Sequence, residues 1–407
     1  MWRSAIVLAC IAIGALGAWL HWRLRLAPWH GDSAWDAILK PIGNLLTLGS
    51  LPGWLFVRAL SPAGGDLGGA IVANTLSAAL WVGVIFIALG LRRYLLVRHS
   101  EPASHVSNPA RRAFVVNAVG AAGALAAGGV ASGATLIEPL RLRVTKYRVP
   151  IADLPASLDG LRIGFLADLH LGPWVSASFI AEAVELARDL RADLYLLGGD
   201  YIAQSENYME AVAALMRPLL EPGSQSMGVL GVLGNHDWWE NGPRMTKALR
   251  DQGVMMIDND RVFIDANSRT IHRDPAHLSG SALCIAALGD LITDATDIPR
   301  AFADIPADIP RILLTHEPDT AELYELACDS AAPRVDLMLC GHTHGGQVSL
   351  PLVGAPIVPS RYGQKYAAGL VSAPRFRVII SRGIGMSVAP VRWGVPPEVV
   401  EVTLTRA

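Results

Sequence analysis

Five short apolar runs after residue 160 each end in a cluster of polar residues, and this repeated pattern limits the possible folds more than any other feature. The runs start at Leu161, Ala192, Met227, Pro310 and Val335. Segments with helical periodicity follow three of the clusters, at residues 178–190, 207–219 and 242–253. Strands alternating with helices are typical of an α/β fold. Two tracts, 140–149 and 398–405, alternate apolar and polar residues and are predicted to be outer strands of a second sheet.

The polar clusters consist of residue types that bind metal ions. They are Asp168-Leu-His170, Gly198-Gly-Asp200, Gly234-Asn-His-Asp237, His316 and Gly341-His-Thr-His-Gly-Gly346. Imidazole and carboxylate ligands together suit Zn, Mn or Fe rather than Mg or Ca alone. Sheets of α/β proteins bind ligands at the carboxyl ends of their strands. The sequence therefore predicts a metal site where these runs end.

Each cluster taken alone has an ordinary explanation. An isolated Asp-x-His pair is usually a surface or capping pair, Gly-Asp is a common turn, and a single histidine has many structural uses. The five clusters together indicate a functional site, because they occur in one order and each follows an apolar run. His272 and His277 lie in a polar stretch without ligand spacing and are predicted to be loop residues.

This order of motifs resembles the calcineurin-like metallophosphoesterase superfamily. Several further segments resemble its bacterial membrane-linked branch: Leu161-Arg-Ile, Asp168-Leu-His-Leu-Gly-Pro173, Gly345-Gly-Gln347, Pro359-Ser-Arg-Tyr-Gly363 and Ser381-Arg-Gly-Ile-Gly385. The resemblance covers about residues 140–407. It implies an α/β fold, a two-sheet αββα sandwich, and a metal-dependent hydrolase of phosphoric esters.

The resemblance also implies a role for each residue of the clusters. One metal ion would be bound by Asp168, His170 and His344, and the other by Asn235, His316 and His342. Asp200 would bridge the two ions, which are Mn, Zn or Fe. His236 would contact the phosphate and protonate the leaving oxygen, while Asp237 would orient His236. Two cations about 3.5–4 Å apart clamp a phosphoryl group and acidify a bridging water, so hydrolysis by a metal-bridging hydroxide is expected.

The first 137 residues have a different character and are predicted to form an all-α transmembrane region. Residues 4–20, 67–91 and 113–137 are apolar and uncharged, and a helix needs about 20 residues to cross a bilayer. These give three helices, or four when the apolar stretch 42–60 also spans. The predicted organisation is a transmembrane region at 1–137, a linker and first strand at 138–160, and a metallophosphoesterase domain at 161–407.

The charge of the loop at 92–112 predicts the orientation. It carries five arginines and one acidic residue, Glu101, so it is expected in the cytoplasm. The third helix then runs outward, which predicts a multi-pass protein of the inner (cytoplasmic) membrane with its catalytic domain on the outer, periplasmic side. A twin-arginine export signal at Arg111-Arg112 and a cleaved secretory peptide at 1–20 remain alternatives.

The negative net charge of residues 151–407 also limits the binding partners that can be expected. Residues 151–407 contain 20 Lys and Arg against 31 Asp and Glu, so nucleic acid is not an expected partner. A phosphate-ester substrate from the envelope or linked to a lipid is expected, because a membrane tether concentrates an enzyme near such molecules. One alternative is a UDP-diacylglucosamine pyrophosphate hydrolase of lipid A biosynthesis, which needs a cytoplasmic domain. Another is a receptor or transport component that binds metal without turnover.

Overall fold

The computed structural model describes residues 129–130, 133–221 and 227–407. Its contacts divide the chain into two units, Met1–Leu136 and Ile137–Ala407. The predicted membrane segments lie outside the described residues, apart from the end of the third, where Gly133–Ile137 forms a π-helical turn. In the described ranges, no helix combines the length and apolar character needed to cross a bilayer.

The described residues form thirteen strands and five α-helices, numbered here in chain order. The strands are β1 (Arg143–Ile151), β2 (Arg162–Leu166), β3 (Leu194–Leu197), β4 (Val229–Gly231), β5 (Met255–Met256), β6 (Asp260–Asp265), β7 (Ile271–His272), β8 (Ala282–Ala287), β9 (Arg311–Leu314), β10 (Leu337–Cys340), β11 (Gly369–Ser372), β12 (Arg377–Ile380) and β13 (Glu398–Arg406). The helices are α1 (Ala177–Asp189), α2 (Met209–Leu215), α3 (Asn235–Gln252), α4 (Ile298–Ala301) and α5 (Tyr324–Ala327).

Two mixed sheets face each other. The first has the order β1-β13-β2-β3-β4-β5, and the second has the order β11-β12-β10-β9-β8-β6-β7. Strands β2 to β5 are parallel, as are β8, β9, β10 and β12. Apolar side chains of both sheets meet in one buried layer, which includes Phe165, Leu196, Ile312 and Leu339. Helices α1, α2 and α3 cover the outer face of the first sheet, and α4 and α5 pack on the second. The predicted two-sheet α/β sandwich is confirmed.

The prediction that the two alternating tracts join a second sheet is wrong. β1 and β13 pair with each other along their whole length, and β13 also pairs with β2 in the first sheet. The alternation of β13 is misleading because its first five residues, including Glu398 and Glu401, are all buried. Glu398 can be buried because it accepts hydrogen bonds from Thr145 and Arg382.

The helices agree broadly with their periodicity. α1 begins after Ser176, whose hydroxyl caps the helix by accepting from the amide of Phe179. The segment predicted at 242–253 ends as expected at Gly253, which holds a left-handed φ of +103°. Its start differs, because helical turns already begin at Asn235 and a non-helical Asn241 separates them from the rest.

Candidate metal centre

Neighbouring parallel strands bring the polar clusters together at one edge of the sandwich. The clusters at 168–170, 200 and 235–237 follow β2, β3 and β4 of the first sheet. His316 and the cluster at 342–344 follow β9 and β10 of the second. Because the carboxyl ends of these strands meet at the same edge, the site is built from both sheets. All seven residues predicted to bind metal lie there.

Several of these residues hold a strained backbone. A left-handed φ, between +50° and +70°, occurs at Asp168, His170, Asp200, His342 and His344. Such conformations are uncommon for residues with a side chain and concentrate at functional sites. Here they turn the chain sharply just past each strand, so that the side chains point over the strand ends.

The first group of ligand atoms comes from Asp168, His170 and His344, which are all buried. The Nε2 atoms of the two imidazoles lie 2.9 Å apart. The Nε2 atom of His344 also lies 3.5 Å from Oδ1 of Asp168. Two imidazole nitrogens and a carboxylate oxygen thus converge, as binding of one ion requires.

The second group consists of Asn235, His316 and His342. The Nδ1 atom of His342 lies 3.1 Å from Oδ1 of Asn235 and 3.3 Å from Nε2 of His316. The Nδ1 atom of His316 lies 2.7 Å from the carbonyl oxygen of Gly198. That nitrogen donates to the carbonyl, which leaves Nε2 to face the site.

Asp200 lies between the two groups. Its Oδ2 atom is 3.4 Å from Nε2 of His170 and 3.3 Å from Nε2 of His316. Its other oxygen accepts a hydrogen bond of 2.9 Å from the amide of His236. One carboxylate therefore reaches a histidine of each group, which is the position expected of a bridging ligand.

The pKa values show how charge is distributed without metal. Burial lowers the pKa of His170 to about 3 and that of His342 to about 4, and it lowers the pKa of His344 well below its usual value. Burial also acts against charge on His316, but the carboxylate of Asp200 outweighs it and raises that pKa. Three imidazoles are therefore neutral at pH 7 and have lone pairs to offer.

These residues fit a pair of cations. Burial raises the pKa of Asp168 to about 7, and its Oδ2 atom has no hydrogen-bond partner among the described residues. A buried carboxylate oxygen of this kind is costly unless a cation neutralises it. Space for the carboxylates also depends on glycine, since a Cβ at Gly234 or Gly341 would overlap with Asp200 or Asp168.

His236 lies beside these groups and is only half-buried. Its ring packs edge-on against His170, with ring centroids 4.7 Å apart, and the ring centroid of Trp239 lies 4.5 Å from it. Its Nε2 atom is 3.3 Å from the hydroxyl of Ser387, a contact that no sequence motif indicated. One nitrogen of His236 comes close enough to His170 and Asp200 to form a third potential metal group.

The predicted role of Asp237 needs correction. Its carboxylate is fully buried and accepts hydrogen bonds from the backbone amides of Asp200, Tyr201, Ile202 and Gly234. These bonds tie the Asp200 loop to the start of α3, and none of them reaches the imidazole of His236. Asp237 therefore positions the backbone of Asp200 and does not orient His236.

Arg392 is a second residue that sequence reasoning missed. Its side chain is fully buried, and its guanidinium donates to the carbonyl oxygens of Arg382, Gly383, Gly385 and Val395. Its Nη2 atom lies 3.3 Å from Nδ1 of His344. A single arginine in an apolar stretch carries no signal of such a place.

Among the described residues, the two remaining histidines of the domain belong to none of the potential metal groups. His272 lies in β7, where its Nε2 atom is 2.8 Å from the hydroxyl of Thr270, and its ring centroid lies 6.4 Å from that of His277.

Two adjacent imidazole groups with a carboxylate between them, at the strand ends of a two-sheet sandwich, define a dinuclear metal hydrolase. Residues 161–346 match the family model for calcineurin-like phosphoesterases. The chain is similar to the uncharacterized metallophosphoesterase YkuE of Bacillus subtilis, with 30% identity over 296 residues that cover 72% of this chain and 97% of the relative.

Two further similar proteins are also named for phosphoesterase activity or a metallophosphoesterase domain. The phosphodiesterase YaeI of Escherichia coli is 31% identical over 246 residues, covering 60% of this chain and 82% of the relative. A transmembrane protein with metallophosphoesterase domain from Bos taurus is 29% identical over 276 residues, covering 65% and 57%. The chain belongs to the calcineurin-like metallophosphoesterase family, as its motifs indicated, and is a metal-dependent phosphoric ester hydrolase.

Proposed function

We propose that this chain is a membrane-anchored hydrolase of phosphate mono- or diesters, acting on envelope or lipid-linked substrates. The observation that carries the proposed chemistry is the position of Asp200, whose carboxylate lies 3.4 Å and 3.3 Å from an imidazole nitrogen of each group. A similar relative, YaeI, is named a phosphodiesterase.

The residues of the centre have separate roles in metal binding and proton transfer. Asp168, His170 and His344 would hold one divalent cation, Asn235, His316 and His342 would hold the other, and Asp200 lies between the two sets. A pair of cations supplies charge neutralisation of the phosphate and acidification of water. His236, outside both sets, protonates the leaving oxygen through Nε2, and the hydroxyl of Ser387 holds that nitrogen in place. Trp239 packs against the ring of His236 and limits its movement.

The test is turnover of bis(p-nitrophenyl) phosphate by the full chain in detergent with Mn²⁺. Replacement of His236 by alanine removes a general acid, so the rate should fall by about 10²–10⁴-fold while two metal ions stay bound. Asp200→Asn should lose both metal and activity. His277→Ala, an exposed histidine remote from the centre, serves as the matched control. Wild-type rates in the first two variants would refute the proposal.

Membrane anchoring is supported by the three uncharged apolar segments before residue 138 and by a similar relative that is named a transmembrane protein. The five arginines at 92–112 favour an inner-membrane protein with its catalytic domain outside the cytoplasm. Fusions of alkaline phosphatase and of green fluorescent protein after Ala407 test this orientation. Alkaline phosphatase activity is expected. A fluorescent cytoplasmic fusion would contradict it and favour the UDP-diacylglucosamine pyrophosphate hydrolase instead.

A further inference from the structure

The segment between β10 and β11 projects from the edge of the sandwich that holds the metal centre. It starts at the carboxyl end of β10 and returns to the carboxyl end of β12, because Gly369 of β11 pairs with Ile380 of β12. Five of its large hydrophobic side chains are exposed: Leu350, Leu352, Val353, Ile357 and Tyr362. Several exposed apolar side chains on one segment are typical of an interaction site.

Leu352 is the extreme case. Its side chain is wholly exposed, and its backbone holds a left-handed φ of +67°. A leucine gains nothing inside the domain from either property, and both are unfavourable in water. The neighbouring Val353 and Ile357 are exposed to 66% and 78%. This loop therefore presents an apolar tip outward.

Three other exposed hydrophobic side chains surround the same edge. Trp239 lies at the start of α3, directly after β4, and packs against His236. Ile292 follows the carboxyl end of β8, and Val388 lies between the carboxyl end of β12 and the start of β13. These residues come from both sheets and from separate segments, so the apolar character belongs to the edge and not to one loop.

The chain also enters the domain at this edge. Ile137 and Leu140 are exposed and precede β1, whose first residue pairs with Glu398 at the start of β13. The amide of Glu398 in turn donates to Gly383, which packs against Asp168.

The opposite edge differs. In residues 137–407, with 222–226 and 324 left aside, no comparably exposed large hydrophobic side chain lies at the amino ends of the parallel strands. We name the ten exposed side chains of the catalytic side the apolar edge: those at 137, 140, 239, 292, 350, 352, 353, 357, 362 and 388.

We propose that the apolar edge rests on the surface of the bilayer that anchors the chain, and that the phosphoester hydrolysed belongs to a lipid of that bilayer. This proposal rests on the proposed function. A lipid surface is the occupant because the third apolar sequence segment ends at residue 137, within the apolar edge itself. Aliphatic side chains mixed with a Trp and a Tyr are also typical of groups at the boundary of lipid and water.

The first experiment measures depth in the bilayer. The full chain, with Cys10→Ala and Cys328→Ser, is placed in nanodiscs of phosphatidylcholine and phosphatidylglycerol and spin-labelled at Leu352→Cys. The control label is at Ser268→Cys, an exposed position in the turn between β6 and β7 at the opposite edge. The label at 352 should be several-fold less accessible to a water-soluble nickel complex than the label at 268. Equal accessibility would overturn the proposal, whatever the activity.

The second experiment measures hydrolysis with L352D/V353D. These residues do not belong to the catalytic machinery, so hydrolysis of bis(p-nitrophenyl) phosphate should be unchanged. Release of headgroup phosphate from nanodisc lipid should fall about tenfold or more, because each carboxylate opposes contact with lipid. An equal rate on lipid would overturn the inference alone, whereas no hydrolysis of the soluble diester by the unmodified chain would refute the proposed function. Conversion of a dimer to a monomer by L352D/V353D would show that the apolar edge joins two copies, and would also overturn the inference.

Discussion

Arg392 contacts the predicted metal ligand His344 on the side of the ring that faces away from the metal centre. Its guanidinium is fully buried among carbonyl oxygens. Burial lowers the pKa of Arg392 to about 10, so it remains charged at neutral pH. The charge is favoured by the carbonyl oxygens that accept its hydrogen bonds and by the nearby carboxylates of Asp168 and Glu398. Arg392 is therefore a positioning residue for His344.

Replacement of Arg392 by methionine should reduce both stability and metal binding. The change leaves several buried carbonyls unpaired, so the free energy of unfolding should fall by about 3 kcal/mol. His344 loses its restraint, and the metal content measured by mass spectrometry should drop below two ions per chain. Arg392→Lys keeps the charge without the planar fork and should recover metal content only in part. A methionine variant that binds two ions with unchanged affinity would contradict the positioning role.

Asp258 should make stability depend on pH. Burial raises the pKa of Asp258 to about 6, although its carboxylate accepts a hydrogen bond from the amide of Leu233. The folded chain thus binds this proton more tightly than the unfolded chain, whose aspartate titrates near about 4. Stability from this group is full below pH 4, falls as the pH rises to 6, and is constant above.

The matched change is Asp258→Asn, which keeps the acceptor for Leu233 and removes the charge. It should raise the free energy of unfolding at pH 7 by about 1–2 kcal/mol and should have little effect at pH 4. The value at pH 7 is smaller than the full pKa shift implies because the Asp258 side chain is partly exposed to solvent. Urea unfolding of the metal-free chain at the two pH values measures this. Asp189→Asn, at an exposed position, is the control. The same shift at both pH values would disprove the linkage.

The sequence reveals residues of the centre only where a motif holds them. Asp168, His170 and His344 stand in short patterns that can be recognised along the chain. Arg392 and Ser387 reach the centre through the loop between β12 and β13, whose path depends on packing against the loop after β2. No local pattern encodes such a contact, so sequence reasoning could not find it.

At the scale of elements, burial explains which strands were predicted correctly. β2, β3, β9 and β10 are continuous apolar runs because both of their faces are buried. β13 is an inner strand too, but its buried glutamates give it an alternating pattern, which wrongly predicts a place in the second sheet.

Asp237, at the start of α3, accepts hydrogen bonds from the loop that follows β3, and its replacement should disturb that loop. Asp237→Asn places an amide group where a carboxylate oxygen now accepts from backbone amides, so two donors face each other. The Asp200 loop should shift, with a loss of stability of about 2 kcal/mol and weaker metal binding. Metal titration by calorimetry together with unfolding of the metal-free variant separates these effects. Unchanged metal affinity would show that the tie does not position Asp200.

At the scale of the whole molecule, the metal centre joins the two sheets, because its ligands follow strands of both. Removal of metal should therefore lower the stability of the domain as a unit. Each ion present at about 100 times its Kd contributes about 2.7 kcal/mol, so two ions contribute about 5.4 kcal/mol, which for a domain of this size corresponds to about 10–20 °C in Tm. A chelator should cause this shift in the full chain and in His236→Ala, which keeps its ligands. Asp200→Asn should start from the lower Tm and respond little. If a chelator abolished activity but left the Tm unchanged, the ions would not contribute to holding the two sheets together.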